Sequence, residues 1–233
     1  MNLKQQIVMT AYKAGGGHIP SALSILPIVE ALYNGVMGKH DRFILSKGHG
    51  CLALYVVLAE KGLITQEDLD NFGKYEGILG GHPDRRKVPG VICSTGSLGH
   101  GLPQAVGIAL AKKIKGEAGR VYCLVGDGEC NEGSNWEAAM LAAHHKLTLT
   151  VIVDYNHTTD RAVNLGNIEK KFKAFGFSIA TRWSANGPFK VDGPIAFVIP
   201  TVKGDGCARM AGPEWHHRAP NEAELEEILK ELE

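Results

Sequence analysis

The chain has 233 residues, 44% of them hydrophobic, and its 25 basic and 25 acidic side chains balance to zero formal net charge at pH 7. That length suffices for one sizeable buried core, and the charge balance gives no basic footprint for nucleic acid or an anionic membrane. Five scattered cysteines (Cys51, Cys93, Cys123, Cys130, Cys207) form no CxxC pair, and neither a signal peptide nor a run approaching the roughly 18 apolar residues of a membrane span is present, which predicts a reduced, cytoplasmic protein.

Apolar spacing predicts helices over Leu3–Lys13 and Ser21–Tyr33, a short strand over Arg42–Ser46 and a helix over Gly50–Glu60. Glycine and proline then crowd residues 73–99, as in a long functional loop, before a helix resumes over Leu102–Lys115. Val121–Val125 and Leu149–Asp154 are continuous, β-branched apolar runs that bracket a helix over Ser134–His145, and Pro194–Val202 is a third such run. The closing segment Asn221–Glu233 opens with an asparagine N-cap and Glu224 at the third helical position. Strands alternating with helices predict one α/β domain over residues 1–233, a doubly wound, mostly parallel sheet with helices on both faces. Its ligand site is expected beyond the carboxyl ends of the strands.

Two polar breaks fall at that edge: Gly126-Asp127-Gly128 after one strand and Asp154-Tyr155-Asn156 after the next. A right-handed crossover between neighbouring parallel strands lets Asp127 and Asn156 converge. A carboxylate and an amide oxygen are hard ligands suited to Mg²⁺, which keeps positions open for phosphate oxygens and water. An aspartate in a phosphate-type turn is then reasonable: it holds the cation that bridges to a diphosphate, while Gly128 lets a backbone N–H approach. The segment is neither GxGxxG nor a P-loop. Taken alone, GDG reads equally well as a tight turn with a solvated aspartate.

The wider pattern resembles the transketolase family. "AGGGHIPSALS", "DRFILSKGHG" and "GILGGHPDRRKVPGVICSTGSLGHGLPQAVGIALA" are similar to its three histidine segments. "GDGECNEGSNWEAAMLAAHHKL" with "VDYN" is similar to its metal segment, and "TVKGDG" with "EWHH" to its terminal one. The resemblance implies the thiamin diphosphate-binding fold, with thiamin diphosphate and Mg²⁺ as cofactors, and transfer of a two-carbon ketol unit from a ketose to an aldose. It covers only the diphosphate-binding domain, which implies the N-terminal subunit of a split enzyme. The pyrimidine-binding and C-terminal domains would reside in a partner, and self-association would give a heterotetramer.

By the same resemblance, Asp127, Asn156 and the backbone carbonyl of Thr158 are the Mg²⁺ ligands, with Gly128 at the diphosphate and Gly96 and Leu98 along the cofactor rings. His49 and His216 contact the diphosphate and reacting centre, His82 the donor's C1 hydroxyl, and His18 the hydroxyl that loses its proton. Glu132 and Glu137 match acidic positions near the subunit boundary that link two active sites; complementing a helix dipole is the plainer role for both. His144 and His145 are read as packing or surface residues, Trp136 and Met140 as core, and the acids of the last helix as a solvated face. His40, His157 and His217 have no assigned role. The departures are His100, where the family usually has a glutamine, and shortened segments between residues 157 and 195. Two other readings stay open: one component of another thiamin diphosphate enzyme, such as a synthase or dehydrogenase, and a non-catalytic partner retaining the fold.

Overall fold

Capping residues and apolar periodicity set the helices. In chain order these are α1 (Leu3–Ala14), α2 (Ile19–Ala31), α3 (Cys51–Glu60), α4 (Gln66–Asp70), α5 (Gly101–Lys115), α6 (Gly133–His144), α7 (Ile168–Ala174) and α8 (Glu222–Glu231). The strands are β1 (Arg42–Leu45), β2 (Val121–Gly126), β3 (Leu149–Tyr155), β4 (Ser178–Ile179) and β5 (Ile195–Pro200). The structure, a computed structural model, describes residues 1–157, 163–181 and 191–233. It comprises two units: one of Met1–Glu30, Gly48–Gly96 and Thr201–Glu233, the other of Ala31–Lys47 and Ser97–Pro200.

The first unit is helical. Asn2 opens α1 with a full capping box, its side chain accepting from Gln5 N–H while the Gln5 side chain accepts from Asn2 N–H, and left-handed Gly15 closes the helix. The second predicted helix begins two residues earlier than its apolar spacing implied and continues beyond α2 as a π-helical turn, Leu32–Val36. Ile19–Val36 is therefore an 18-residue helical stretch long and apolar enough to cross a membrane by length and composition alone, which the sequence reading excluded; 67% of it is buried inside the protein, as in a core helix. α8 has the predicted Asn221–Glu224 capping box. Its acids lie mostly on an exposed face, as expected, where Arg209 binds Glu227 and Glu231 and Arg218 binds the half-buried Glu224.

The second unit holds a five-stranded parallel sheet in the order β1-β2-β3-β5-β4. All six residues of β2 and the first six of β3 are buried, so both faces of these strands are covered. The expected parallel α/β fold is borne out. Register places Leu45 opposite Leu124 and Gly126 opposite Asp154, so the polar residues following β1, β2 and β3 emerge along one edge. α5 packs on α6, and Trp136 of α6 reaches α7, its ring centroid 5.1 Å from Phe172 and 5.5 Å from Phe175. Met140, expected in the core, is instead 52% exposed. The buried stripe of α6 is Asn135, Ala138, Ala139 and Ala142, and Met140 lies more than half a turn beyond Ala138. All five cysteines are free and buried.

Asn221 supplies one of α8's otherwise orphaned amides with an acceptor. Asn221→Ala is expected to cost about 1 kcal/mol, which lowers the thermal midpoint of a chain this size by about 2–4 °C. Calorimetry checks this, and an unchanged midpoint contradicts a stabilising cap.

Candidate active site

The first unit gathers the four predicted histidines. His18 precedes α2, His49 lies in the 3-10 turn Gly48–Gly50 that leads into α3, His82 sits in the long loop, and His216 follows the 3-10 turn Pro213–Trp215. Ring centroids are 4.7 Å apart for His18 and His49, 5.0 Å for His18 and His216, 5.9 Å for His18 and His82, and 4.8 Å for His49 and His82. A fifth ring, His217, to which the sequence assigned nothing, stands 4.5 Å from His18.

Hydrogen bonds and close backbone approach assemble this group. Cys51 Sγ and Tyr55 Oη, both on α3, donate to the carbonyls of Gly81 (3.2 Å) and Gly80 (3.0 Å), pinning the loop just before His82. At the loop's end Gly96 has φ 139°, and a Cβ there would lie 2.8 Å from His82 Cγ; one on Gly48 would lie 2.8 Å from Gly96 N. Only glycine fits at such a position. Gly204 N donates to Pro20 O at 3.1 Å, which fastens the segment leading to His216 onto the start of α2.

Burial governs the electrostatics. It pushes the His18 pKa down from 6.5 to about 3, reinforced by His49, His217, His216 and His82. His82 is lowered by burial and then by His217, and His216 by burial, Lys203 and His217. Neutral imidazoles can accept a proton or hydrogen-bond a hydroxyl. Among the described residues His82 Nε2 is buried with no hydrogen-bond partner, an orphaned polar atom that suits a hydroxyl-bearing ligand.

The sheet edge of the second unit carries the other predicted residues. Asp127 is 1% exposed, so the plainer reading of a solvated turn fails. Its carboxylate accepts from Gly128 N at 2.7 Å and its own N–H donates to Asp154 O at 3.0 Å. Asp154 is wholly buried and ion-paired with Lys47, and it accepts from Asn156 Nδ2 at 3.1 Å. A carboxylate only accepts, so this bond orients the Asn156 amide with its oxygen turned away from Asp154. Thr158 lies outside the described residues. Among the described residues no group of three or more His, Cys, Asp or Glu is disposed to hold a metal; the expected ligand set contains only one such side chain.

Sequence reasoning missed Glu129, which organises this edge. Its buried carboxylate accepts from Ser46 Oγ (2.5 Å), Gly99 N (3.0 Å) and Gly126 N (3.3 Å). Burial raises its pKa, while these donors and Lys47 oppose the rise. The available signal was an acid inside "GDGE", just as Lys47 and Asp154 stood inside "SKGH" and "VDYN". Leu98 is 36% exposed in the loop before Gly99. Glu132 is the exposed N-cap residue of α6 without a side-chain capping bond, Glu137 is exposed farther along that helix, and His100 is exposed at the N-cap of α5.

Residues 3–196 match the family described as transketolase, thiamine diphosphate binding domain. The chain belongs to the transketolase family. It is 38% identical over 251 residues to an apulose-4-phosphate transketolase subunit of Actinobacillus succinogenes, covering 97% of this chain and 91% of that protein. Against the 6-deoxy-6-sulfo-D-fructose transketolase subunit SqwG of Clostridium sp. it is 35% identical over 225 residues, 86% and 82% of the respective lengths. The solved structure of transketolase from Leishmania mexicana superposes with a TM-score of 0.88 at 25% identity, covering 99% of this chain and 40% of that one. The chain is thus an N-terminal, thiamin diphosphate-dependent subunit of the split transketolase type, and a transferase.

The depressed histidines set a sign for pH. A group that binds its proton more readily when unfolded destabilises the fold as pH falls through its unfolded pKa. For His18 that window runs from 6.5 down to about 3. The thermal midpoint is expected to fall with pH across it, and to fall less steeply in His18→Asn. Identical slopes for wild type and variant contradict a buried neutral imidazole.

Proposed function

We propose that the chain forms the diphosphate-binding domain of a transketolase that moves a two-carbon ketol unit from a ketose to an aldose, acting with a partner that carries the pyrimidine-binding domain. The observation that carries this reading is the packing of His18, His49, His82 and His216, from four separate segments, into one group of imidazoles in which burial disfavours the charged form of His18, His82 and His216. Such a group suits a substrate rich in hydroxyls. The intact set also speaks against a non-catalytic partner, and the transketolase relatives speak against a synthase or dehydrogenase component.

Bound thiamin diphosphate supplies the nucleophile that takes up the two-carbon unit. Asp127, Asn156 and the backbone carbonyl of Thr158 would hold Mg²⁺ for a diphosphate, a hard-oxygen set that suits this ion. Asp154, neutralised by Lys47, holds Asn156 in place rather than joining the ligands. Gly128, Gly96 and Leu98 line the cofactor. His82 binds the donor's C1 hydroxyl, His49 and His216 contact the diphosphate and the reacting centre, and His18 removes the hydroxyl proton as the carbon–carbon bond breaks. Glu132 and Glu137 lie toward a neighbouring subunit. Five free, buried thiols fit a reducing cytoplasm.

Asp127→Ala, in the enzyme assembled with its partner, is expected to abolish thiamin diphosphate binding by calorimetry and ketol transfer in a coupled assay, with circular dichroism unchanged. Normal cofactor affinity in that variant overturns the metal assignment.

Assembly leaves its own trace. Much of α5's apolar stripe (Leu102, Ala105, Val106, Ala109) is buried within the chain. Leu98, Met140 and Leu141 remain exposed and are the residues a second copy would cover. Light scattering of the co-expressed subunits is expected to report a heterotetramer, and Met140→Lys with Leu141→Lys to shift it toward a heterodimer. A stable, active monomer contradicts both the assembly and a site shared with the partner.

A further inference from the structure

His217 is nearer to His18 than any of the other three rings, with centroids 4.5 Å apart. Yet His217 is exposed, whereas His18 is 9% exposed. Gly16 lies beside it, a Cβ at that position falling 3.4 Å from His217 Cε1, in ordinary contact. The two rings meet edge to face at 66°, and an imidazole can take a proton at one nitrogen and release one from the other, to a neighbouring ring directly or through a water.

We propose that His217 relays the proton that His18 removes from the donor hydroxyl, passing it between the buried imidazole and solvent. The proposal rests on the transketolase reading of His18. The O–H bond breaks as neutral His18 takes the proton. The oxygen's electron pair becomes the second bond of the leaving aldehyde's carbonyl, while the carbon–carbon pair stays with the two-carbon unit. His18 then gives the proton to the unprotonated nitrogen of His217, which releases one to water or buffer.

The surroundings favour that direction. His18 faces His49, His82, His216 and His217, Lys203 acts on His216, and Arg218 is engaged by Glu224 and stacked on Trp215. Burial and four neighbouring imidazoles make protonated His18 unfavourable, so a proton taken up there passes on readily. His217 acts through His18 rather than on the sugar.

The test uses the enzyme assembled with its partner, thiamin diphosphate and Mg²⁺. Xylulose 5-phosphate and fructose 6-phosphate serve as ketose donors in dilute, non-imidazole buffer. His217→Ala is expected to lower kcat about tenfold or more, a modest share of what proton transfer contributes. KM and cofactor affinity should stay near wild type, and added imidazole should restore kcat with saturation. His217→Gln, which keeps a polar side chain but carries no proton, should behave alike. Hydroxypyruvate loses carbon dioxide instead of a hydroxyl proton, so its donor half-reaction, followed as carbon dioxide release in a single turnover without acceptor, should slow much less. Unchanged kcat, or a loss that imidazole does not rescue and that hydroxypyruvate shares equally, overturns the relay alone. A wild-type enzyme inert toward every ketose overturns the transketolase reading, and the relay with it.

Discussion

Two buried carboxylates, Asp154 and Glu129, hold the sheet edge, and each is tolerable only because its partners are in place. An ionised carboxylate taken out of water must be paired or fully hydrogen-bonded. Lys47, just after β1, pairs with Asp154 near the end of β3, while Glu129 gathers Ser46, Gly99 and Gly126. The polar ends of β1, β2 and β3 therefore cannot drift apart without stranding a charge. Removing one partner of such a pair typically costs about 3–5 kcal/mol. Asp127 and Asn156 inherit their fixed positions from this arrangement, through Asp127 N–H on the Asp154 carbonyl and Asn156 Nδ2 on its carboxylate.

The helical unit solves the opposite problem, crowding imidazoles together rather than pairing opposite charges. There the constraint is steric: Gly96 and Gly48 approach so closely that no side chain fits, and the carbonyls of Gly80 and Gly81 are satisfied from α3. Desolvation does the chemical tuning by disfavouring imidazolium. One unit fixes a charged edge with ion pairs and the other keeps a basic group neutral by burial. Both rely on side chains whose positions the backbone over-determines.

Long, uniformly apolar strands and the N-capped terminal helix were legible because β2, β3 and α8 each follow one local rule. α4 and β4 were not, being five and two residues long and too short for a period to show. For α4 a signal did exist in the Thr65–Asp68 capping box. The π-helical extension of α2 depends on packing rather than composition, and Met140 was misplaced because its spacing from Trp136 ignored which stripe of α6 is buried. The predicted histidines were found one segment at a time through a family likeness, and their mutual packing could not be read from spacing. His217 was hidden as the second half of a doublet. Glu129 meets Ser46 across 83 residues and Lys47 meets Asp154 across 107, contacts that only strand register brings about.

The buried thiols turn the protein into its own clock of opening. Burial raises the pKa values of Cys51 and Cys207 to about 12 and that of Cys130 higher still, so the thiolate that an alkylating reagent needs is scarce while the chain is closed. Modification must then wait for local unfolding. Cys51, Cys93 and Cys207 lie in the helical unit, whereas Cys123 and Cys130 lie in the sheet unit. Their separate labelling rates record which unit breathes first. Cys51, bonded to the carbonyl next to His82, records when the loop bearing that histidine lets go.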